Sequence, residues 1–402
     1  MGMIIFDDGR HDLSPMTDLR AVFEIRTGVF PTLGRITHAR SETLVGVWAP
    51  QRLAAIVAER SAVPVNQLPI ESRQVLLVNG RWLLPSRGGE GDGFSPALNE
   101  AIVQQESGDV ILVRLTIDGA LHFLMTGSLP DEVHVRAAAG QALLTHPWDV
   151  IRHRDAAIGH DLHATRLLDT QVPPHGVTVL GDHPVEIHRT AKVYPGVVLD
   201  AEHGPVSINE HAVIRPNAVV SGPCRIARHS TVVDRAHIKA NTVVGPWCKV
   251  GGEVGGTIFQ GYSNKSHEGH LGDSWVGEWA NFGAGTTNSN LLNTYGEVVM
   301  KSRPDGQHRR TGLMFLGAIV GDHVKFAINT RIMTGSVFGT GAMIATTAAP
   351  PATVPAFAWL TDAGSRTYRL EKFLEVARAV MARRGVAMSS AMSNAIASIA
   401  AA

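Results

Sequence analysis

A six-residue repeat is the feature that most restricts how this 402-residue chain can fold. From Ile208 to Val250 an aliphatic residue recurs at every sixth position, and a mostly small residue follows four positions after each. A period of six is neither helical nor the simple alternation of a strand. It is typical of a parallel β-helix, in which each hexad forms one flat face and three faces close a triangular coil. We predict a left-handed prism, an exception to the right-handed crossover rule.

The repeat also predicts which side chains are buried inside the prism. A second run with the same period and another phase extends from Met314 to Ile344. The two cysteines, Cys224 and Cys248, fall on small positions of the first run. We therefore expect both to be buried packing residues, and neither metal ligands nor partners in a disulfide.

The regions outside the repeat predict a multidomain chain. Residues 1–150 contain no hexads, and they mix strand patterns ("MIIFDD", "VLLVNG", "DVILVRLTIDG", "LHFLMTG") with helix patterns ("SPALNEAIVQQES", "PQRLAAIVAER"), which indicates an α/β domain. Residues 151–185 are predicted to be a linker that begins with helix, and 186–350 to be the β-helix. "PPATVP" is expected to end the repeat, and 351–402 to form a helical cap and tail, because a solenoid must cover its ends.

Composition excludes several classes of partner. Acidic and basic residues balance at 36 each, which argues against a nucleic-acid or acidic-membrane partner. The sequence has no apolar stretch near 18 residues, and its first residues include two acids where a signal peptide needs an apolar run. We expect a cytoplasmic protein.

The repeat is interrupted where chemically active residues concentrate. Val250 and Val276 are 26 positions apart, which is not a multiple of six, so we expect an insertion that leaves the coil. That stretch places Lys265, His267, Glu268 and His270 within six positions. His267 is the candidate general base, since a neutral imidazole can accept a proton near pH 7. A solvated loop histidine is the plainer alternative, and a metal site is disfavoured because the loop does not force the ligands onto one face.

A second interruption, residues 286–312, is expected to project nearby. It supplies amides and cations: Asn288, Asn290, Asn293, Lys301, Arg303, Arg309 and Arg310. Together the two interruptions offer a base, hydrogen-bonding groups and positive charge. That set suits a small, polar, anionic substrate.

The stretch "VGEWANFGAGTTNSN" after "HEGH" resembles the acetyltransferase half of the GlmU family. Those bifunctional enzymes join glucosamine-1-phosphate N-acetyltransferase to N-acetylglucosamine-1-phosphate uridylyltransferase, and the resemblance covers roughly residues 185–350. It implies that His267 is the general base and that Asn281 and Asn290 bind the sugar. It implies a cofactor, acetyl-CoA, with Ala284 beside the thioester and Ala345 and Thr346 at the CoA site. It also implies a homotrimer with CoA between neighbouring β-helices.

Three positions depart from the family pattern. His270 stands where the family has Tyr, and Ile328 replaces a Ser near the CoA site. Gly255 occupies the position of a substrate-phosphate Lys, for which Lys265 is a substitute candidate. We therefore include Lys265 and His270 among the predicted substrate contacts. The acceptor is expected to be an amino sugar phosphate or a nucleotide sugar, with the sugar itself left open.

The N-terminal region resembles a short, divergent sugar-nucleotidyltransferase domain. The family's glycine-rich phosphate loop is replaced by a loop with one glycine, and Asn79-Gly80 stands where the family's metal-binding Asp belongs. An active domain would place Asp7, Asp8 and Arg10 near the phosphates, with Mg²⁺ as cofactor. Two alternatives to the acetyltransferase therefore stay open. One is a nucleotidyltransferase whose β-helix serves as a trimerisation scaffold, and the other is a non-catalytic binding protein.

Overall fold

The computed structural model describes residues 2–69, 71–85, 94–140 and 143–401. It divides the chain into two compact units. The first unit comprises residues 1–13, 19–25 and 30–146, and the second comprises residues 14–18, 26–29 and 147–402. No helix in the described ranges has the length and apolarity that a membrane span requires.

The first unit is built on a mixed six-stranded sheet. In spatial order its strands are Thr43–Trp48, Gly2–Phe6, Gln74–Asn79, Val110–Thr116, Glu100–Gln104 and His134–Ala138. Its α-helices are Thr32–Ala39, Ala54–Ala58 and Ile117–Thr126, and its 3-10 helices are Val22–Glu24 and Gln51–Leu53. The core lies where Ile4, Phe6 and Leu77 pack against the helix that contains Phe123. The predicted α/β fold of this region is confirmed.

Two local predictions in this unit were wrong. The segment 95–107, predicted to be helical, contains the strand Glu100–Gln104, whose central residues are buried between two neighbouring strands. The segment 121–127, predicted to be a strand, lies in the helix Ile117–Thr126 and the residue that follows it. The Thr116 side chain accepts a hydrogen bond from the Gly119 amide at the start of that helix, and Gly127 ends it with φ of +74°. These capping contacts stabilise both ends of the helix, and the apolar run in the sequence does not indicate them.

The second unit is the predicted left-handed parallel β-helix. One ten-stranded sheet holds Lys192–Val193, Val213–Ile214, Thr231–Val232, Lys249–Val250, Asn264–Lys265, Asn281–Phe282, Lys325–Phe326, Met343–Ala345, Ala358–Thr361 and Gly364–Thr367. A second ten-stranded sheet holds Thr170–Gln171, Val185–His188, Val206–Ile208, Cys224–Ile226, Thr242–Val244, Ile258–Phe259, Trp275–Val276, Ala318–Val320, Ser336–Phe338 and Thr353–Val354. The third face consists of Thr178–Leu180, Val198–Asp200, Val219–Ser221, His237–Ile238, Glu253–Gly255 and His270–Gly272. The pair Thr287–Asn288 and Arg331–Ile332 forms a separate two-stranded sheet.

The hexads place their aliphatic residues inside the prism, as predicted. Every aliphatic residue of the first run, from Ile208 to Val250, is fully buried in one continuous core. Cys224 and Cys248 are buried free thiols in that core, and burial raises the pKa of both, to about 12 for Cys248. Met314 is the exception among the predicted inward residues, because its side chain is 48% exposed.

The two interruptions differ in kind. The expected insertion between Val250 and Val276 was wrong, because strands in this stretch continue all three faces of the coil. The coil is shortened instead: Lys265 follows its partner Val250 by 15 positions, where a full coil takes 18. The second interruption does leave the coil, and it contains the antiparallel pair Val299–Met300 and Arg309–Arg310.

Helices flank the coil in sequence. Asp149–Arg152 and Arg154–Ala164 precede it, as the predicted helical connector. The predicted linker, 151–185, ends early, because Thr170–Gln171 and Thr178–Leu180 already pair with strands of the coil. The coil does not end at "PPATVP", because Thr353–Val354 and Ala358–Thr361 still pair with the preceding coil. The helices Leu370–Ala382 and Ser390–Ala400 follow, and the first of them is the helix predicted from its apolar face.

Candidate functional site

One corner of the prism presents the predicted base and the predicted cofactor contacts on successive coils. Each of these residues lies three positions after a strand residue of one sheet, and those strand residues pair in register. In order along the corner they are His267, Ala284, Ile328 and Thr346. The turns are joined directly, because the Gly285 amide donates to the Glu268 carbonyl at 3.2 Å and the Asn329 amide donates to the Ala284 carbonyl at 2.7 Å. Neighbouring strands lie about 4.8 Å apart, so these residues form a regularly spaced row along the corner.

His267 is exposed at one end of that row. It lies in the turn between the strands Asn264–Lys265 and His270–Gly272. Neither ring nitrogen has a hydrogen-bond or ion-pair partner among the described residues. The imidazole is thus free to accept a proton from a bound ligand.

Lys265 holds the backbone of the same turn and does not face the solvent. Its side chain points into the prism at a hexad position and is 1% exposed. Its Nζ donates to the carbonyl of His267 at 2.7 Å and to that of Gly251 at 3.1 Å. Burial lowers the pKa of Lys265 to about 8. Because the ammonium group is used in these contacts, we do not propose Lys265 as a substrate ligand.

A cleft of about 670 Å³, here called the histidine cleft, lies beside this turn. Its lining includes His267, His270, Glu253, Lys249 and Ser266. His270 Nδ1 lies 3.3 Å from Glu253 Oε1, and Lys239 also pairs with that carboxylate. The hydrogen bond from Lys239 is the largest influence on the pKa of Glu253 and lowers it, with a smaller contribution from His270. The acid is therefore ionised in the neutral range and can orient the His270 ring.

Asn281 lines a second cleft of about 700 Å³, here called the lysine–asparagine cleft. Pairing in register places Lys249, Asn264, Asn281 and Lys325 in one column on the outer face of a sheet. The Asn264 amide donates to Asn281 Oδ1 at 2.9 Å. Lys249 and Ser266 line both clefts, so the two are neighbours. This arrangement brings Asn281 and His267 to adjoining cavities.

The lysine–asparagine cleft is strongly basic. Lys249 and Lys325 face it together with Arg383 and Arg384 from the C-terminal helical region, and none of these four has an ion-pair partner among the described residues. Burial lowers the pKa of Lys325 to about 8, and its Nζ donates to the Trp279 carbonyl. Tyr262 and Trp279, whose rings stack with centroids 4.4 Å apart, also line this cleft. Positive charge beside aromatic surface suits an anionic ligand with a ring.

Asn290 approaches His270 but is held by other partners. Its Nδ2 donates to Asp273 Oδ2 at 2.6 Å, and Arg154 pairs with the other oxygen of that carboxylate at 2.6 Å. A Cβ on Gly272 would lie 2.5 Å from His270 Nε2 and 2.8 Å from Asn290 Nδ2. The glycine leaves open a space that both polar groups border.

Several other predicted residues differ in their exposure and contacts. Ala284 and Ala345 are exposed, and Thr346 donates from its hydroxyl to Asp362 Oδ1 at 2.9 Å. Asn288 is buried, and it bonds the backbone of Gly272 through both ends of its amide. Arg309 and Arg310 are exposed in the hairpin of the second interruption.

The sequence prediction missed the two lysines of the basic cleft. A signal for them was present, because Lys249 and Lys325 each directly precede an inward-facing residue, just as Asn281 precedes Phe282. Residues at that position share one outer face of the prism. Their grouping follows only once the lengths of the intervening coils are known.

The first unit has a cavity of about 650 Å³ that contains the predicted Asp7, Asp8 and Arg10. Apolar side chains, including Trp48 and Phe123, form much of its wall. The Asp7 carboxylate accepts hydrogen bonds from the backbone of Gly9 at 3.0 Å and Val22 at 2.8 Å. Burial alone would raise the pKa of Asp7, but these bonds and the neighbouring His11 outweigh burial and lower it.

Asp8 does not offer a carboxylate that is free to bind Mg²⁺. It is paired with the buried Arg81, which also contacts Asp109. Hard divalent cations are bound through carboxylate oxygens, and these oxygens already accept hydrogen bonds from a guanidinium group. The residues present therefore do not fit the metal that a nucleotidyltransferase of this type implies.

Comparison with known proteins gives a family match for the N-terminal region. Residues 3–167 match the model of a family described as sugar nucleotidyl transferase. This region is thus nucleotidyltransferase-like in sequence, although its carboxylates are engaged as described above.

Curated relatives are bifunctional proteins. The chain is 32% identical over 143 residues to a bifunctional sugar-1-phosphate nucleotidylyltransferase/acetyltransferase of Sulfurisphaera tokodaii, which covers 35% of each chain. It is 36% identical over 145 residues to the bifunctional protein GlmU of Methanococcus maripaludis, covering 35% of this chain and 34% of that one. The chain thus spans about a third of the length of these relatives. The predicted resemblance to GlmU is confirmed at the level of sequence.

A solved structure also matches this chain over most of the length of both. It is the acetyltransferase domain of PglB from Neisseria gonorrhoeae in complex with acetyl coenzyme A, with 11% sequence identity, and the match covers 91% of this chain and 98% of that one. The TM-score is 0.22, so this similarity supports no conclusion about fold or function.

Proposed function

We propose that this GlmU-like chain transfers an acetyl group from acetyl-CoA to the amine of an amino sugar that carries a phosphate. In this reaction the amine nitrogen attacks the thioester carbonyl, and His267 accepts the proton that the nitrogen loses. The C–S bond then breaks, and CoA leaves as a thiolate that takes up a proton. His267 acts as a general base, and the backbone N–H of Ala284 stabilises the oxyanion.

The observation that carries this proposal is the corner on which His267, Ala284 and Thr346 follow one another. Their strands pair in register, and the turns at His267 and Ala284 are hydrogen-bonded. An extended thioester arm laid along this corner would bring its acetyl group beside the free imidazole. Holding the reacting groups in this way lowers the entropic cost of reaction.

The lysine–asparagine cleft supports a phosphorylated acceptor. Asn281 would orient the sugar, while Lys249 and Lys325 would hold its phosphate. Asn290 and His270, which both border the space over Gly272, would contact the sugar from the other side of the turn. Charge-assisted hydrogen bonds to phosphate are stronger than neutral ones, so the phosphate would supply much of the acceptor's binding energy.

A homotrimer is part of this proposal. The corner that would carry the thioester is exposed and partly apolar, since Ile328 is 70% exposed. A neighbouring prism packed there would enclose the cofactor and remove this apolar surface from water. We also propose a cytoplasmic location, which the free thiols of Cys224 and Cys248 support.

The test of catalysis is release of the CoA thiol. Purified protein is supplied with acetyl-CoA and a panel of amino sugars with and without phosphate. We expect turnover with a phosphorylated amino sugar and a much larger KM for its unphosphorylated counterpart. If no amine is acetylated and acetyl-CoA does not raise the thermal stability of the protein, the proposal is wrong and a non-catalytic role is favoured.

A charge series tests the acceptor site separately. Lys249→Gln and Lys325→Gln are each expected to raise KM for the phosphorylated acceptor while KM for acetyl-CoA stays unchanged. Lys192→Gln is the matched control, because Lys192 belongs to a strand of the same sheet and does not line the cleft. An equal effect of all three substitutions would rule out a specific phosphate site.

A further inference from the structure

The first unit contains a buried cation between two carboxylates at one edge of its sheet. Asp8 follows the strand Gly2–Phe6, Arg81 follows the strand Gln74–Asn79, and Asp109 precedes the antiparallel strand Val110–Thr116. These three strands are neighbours in the sheet. The three charged residues therefore meet at the same edge of the sheet.

The contacts of Arg81 occupy both acids at once. Its Nε donates to Asp8 Oδ1 at 2.9 Å, and its Nη2 donates to Asp8 Oδ2 at 2.7 Å and to Asp109 Oδ2 at 2.6 Å. The other terminal nitrogen donates to the Leu144 carbonyl at 3.1 Å. The Arg81 side chain is fully buried, whereas Asp8 and Asp109 are 11% and 13% exposed.

Asn79 completes the arrangement at the position where the GlmU resemblance places a metal-binding Asp. Its Nδ2 donates to Asp8 Oδ2 at 2.8 Å, and its Oδ1 accepts the Arg81 backbone N–H at 2.9 Å. An amide donor directed at Asp8 fills an acceptor position that a metal would need. Asn79 thus supports the pairing of Asp8 with Arg81 and adds no negative charge.

We propose that Arg81 is a built-in replacement for the divalent cation of this sheet edge, so that the first unit does not perform Mg²⁺-dependent nucleotidyl transfer. A divalent cation would have to displace a buried guanidinium that forms two parallel bonds with Asp8. It would also leave that positive charge without its partners, which is strongly unfavourable. Burial by itself would lower the pKa of Arg81, but Asp8 and Asp109 outweigh burial and raise it, so the guanidinium stays charged.

Mn²⁺, a paramagnetic probe of carboxylate metal sites, can test whether Arg81 takes the place of a divalent cation. The full chain is freed of metal with a chelator and then titrated while the signal of free Mn²⁺ is followed. We expect the native protein to bind no Mn²⁺ at Asp8, so Asp8→Asn should leave its Mn²⁺ binding unchanged. Arg81→Ala is expected to gain such a site, and the double variant Arg81→Ala/Asp8→Asn to lose it again.

Thermal stability with and without Mn²⁺ provides a second test of the proposal. Arg81→Ala should melt at a lower temperature than the native protein, and Mn²⁺ should raise its melting temperature but not that of the native protein. Arg10→Ala is the matched control, since Arg10 also contacts Asp109, at 3.4 Å, but is 58% exposed. It should behave like the native protein in both measurements.

Two results with the native protein would overturn the proposal, whether or not Arg81→Ala folds. One is a Mn²⁺ site that is lost in Asp8→Asn. The other is Mg²⁺-dependent release of pyrophosphate from a nucleoside triphosphate and a sugar 1-phosphate. Should Arg81→Ala fail to fold, Arg81→Lys, which keeps the positive charge, is expected to bind no Mn²⁺; a metal site in that variant would also contradict the proposal.

Discussion

Replacement of the buried Lys265 by methionine should change how the stability of this protein depends on pH. Lys265 occupies an inward position of the prism, aligned with Val250 of the preceding coil, and is 1% exposed. Methionine has a similar length and no charge, so it fills the same space. The substitution therefore isolates the ammonium group.

The magnitude follows from the pKa. Burial lowers the pKa of Lys265 from 10.5 to about 8, opposed in part by Glu268. A difference of about 2.5 pKa units corresponds to about 3 kcal/mol between the folded and unfolded states. Between pH 8 and 10.5 the unfolded chain binds more protons at this site than the folded chain does. The free energy of unfolding should therefore rise across that window and be insensitive to this group below it.

Denaturant unfolding at a series of pH values measures the effect. The stability of the native protein relative to Lys265→Met should increase by about 3 kcal/mol from neutral pH to the upper end of the window. Lys325, whose pKa burial also lowers to about 8, keeps its own contribution in the variant and cancels in the difference. Lys249→Met, on the exposed outer face of the same sheet, is the matched control. Identical pH profiles for the native protein and Lys265→Met would refute the reasoning.

The same variant connects stability to the proposed reaction. In Lys265→Met the carbonyl of His267 loses the donor that holds it at 2.7 Å. We expect kcat for acetyl transfer to fall while KM for acetyl-CoA is preserved, because the turn that positions the imidazole becomes less fixed. An unchanged kcat would limit Lys265 to a structural role.

Three further predictions concern the site, the core and the assembly. His267→Ala should lower the rate of thiol release by about a hundred- to ten-thousand-fold with the fold intact, whereas His175→Ala, at an exposed histidine outside the histidine cleft, should not; equal effects would remove His267 from catalysis. Cys224→Ala and Cys248→Ala should each cost on the order of 1 kcal/mol of unfolding free energy through a small cavity, and loss of turnover at unchanged stability would contradict their role in packing. Light scattering should give the mass of three chains, and a stable monomer would exclude the trimer.

The sequence was sufficient for the prism because its period is a direct consequence of the fold. When each hexad forms one face of a coil, an aliphatic residue at every sixth position faces a common interior, and the buried run from Ile208 to Val250 confirms this arrangement. The resemblance to the GlmU family around "GAGT" also implied His267 and Ala284 as candidates, and these residues lie on one corner of the prism. The first inference depends on the period of the sequence, and the second on a short motif shared with that family.

Two short elements of the first unit were predicted wrongly from the sequence, because tertiary contacts decide their structure. Glu100–Gln104 lies within a helix-like pattern but is a strand, since Ala101 and Ile102 are buried in the sheet. The helix Ile117–Thr126 is capped at both ends, by Thr116 and Gly127, and the apolar run in its sequence does not indicate these contacts. Local patterns in short elements are weak compared with tertiary contacts.

Only the tertiary structure decided where the charged groups point. Sequence placed Lys265 in a polar cluster, but a coil shortened to 15 positions turns the lysine into the prism. Arg81 is one of 36 basic residues in the sequence. Its structural role depends on contacts with Asp8 and Asp109, which lie 73 and 28 positions away. Periodicity determines which face of a strand a residue occupies, whereas a buried charge is defined by partners that only the folded chain brings together.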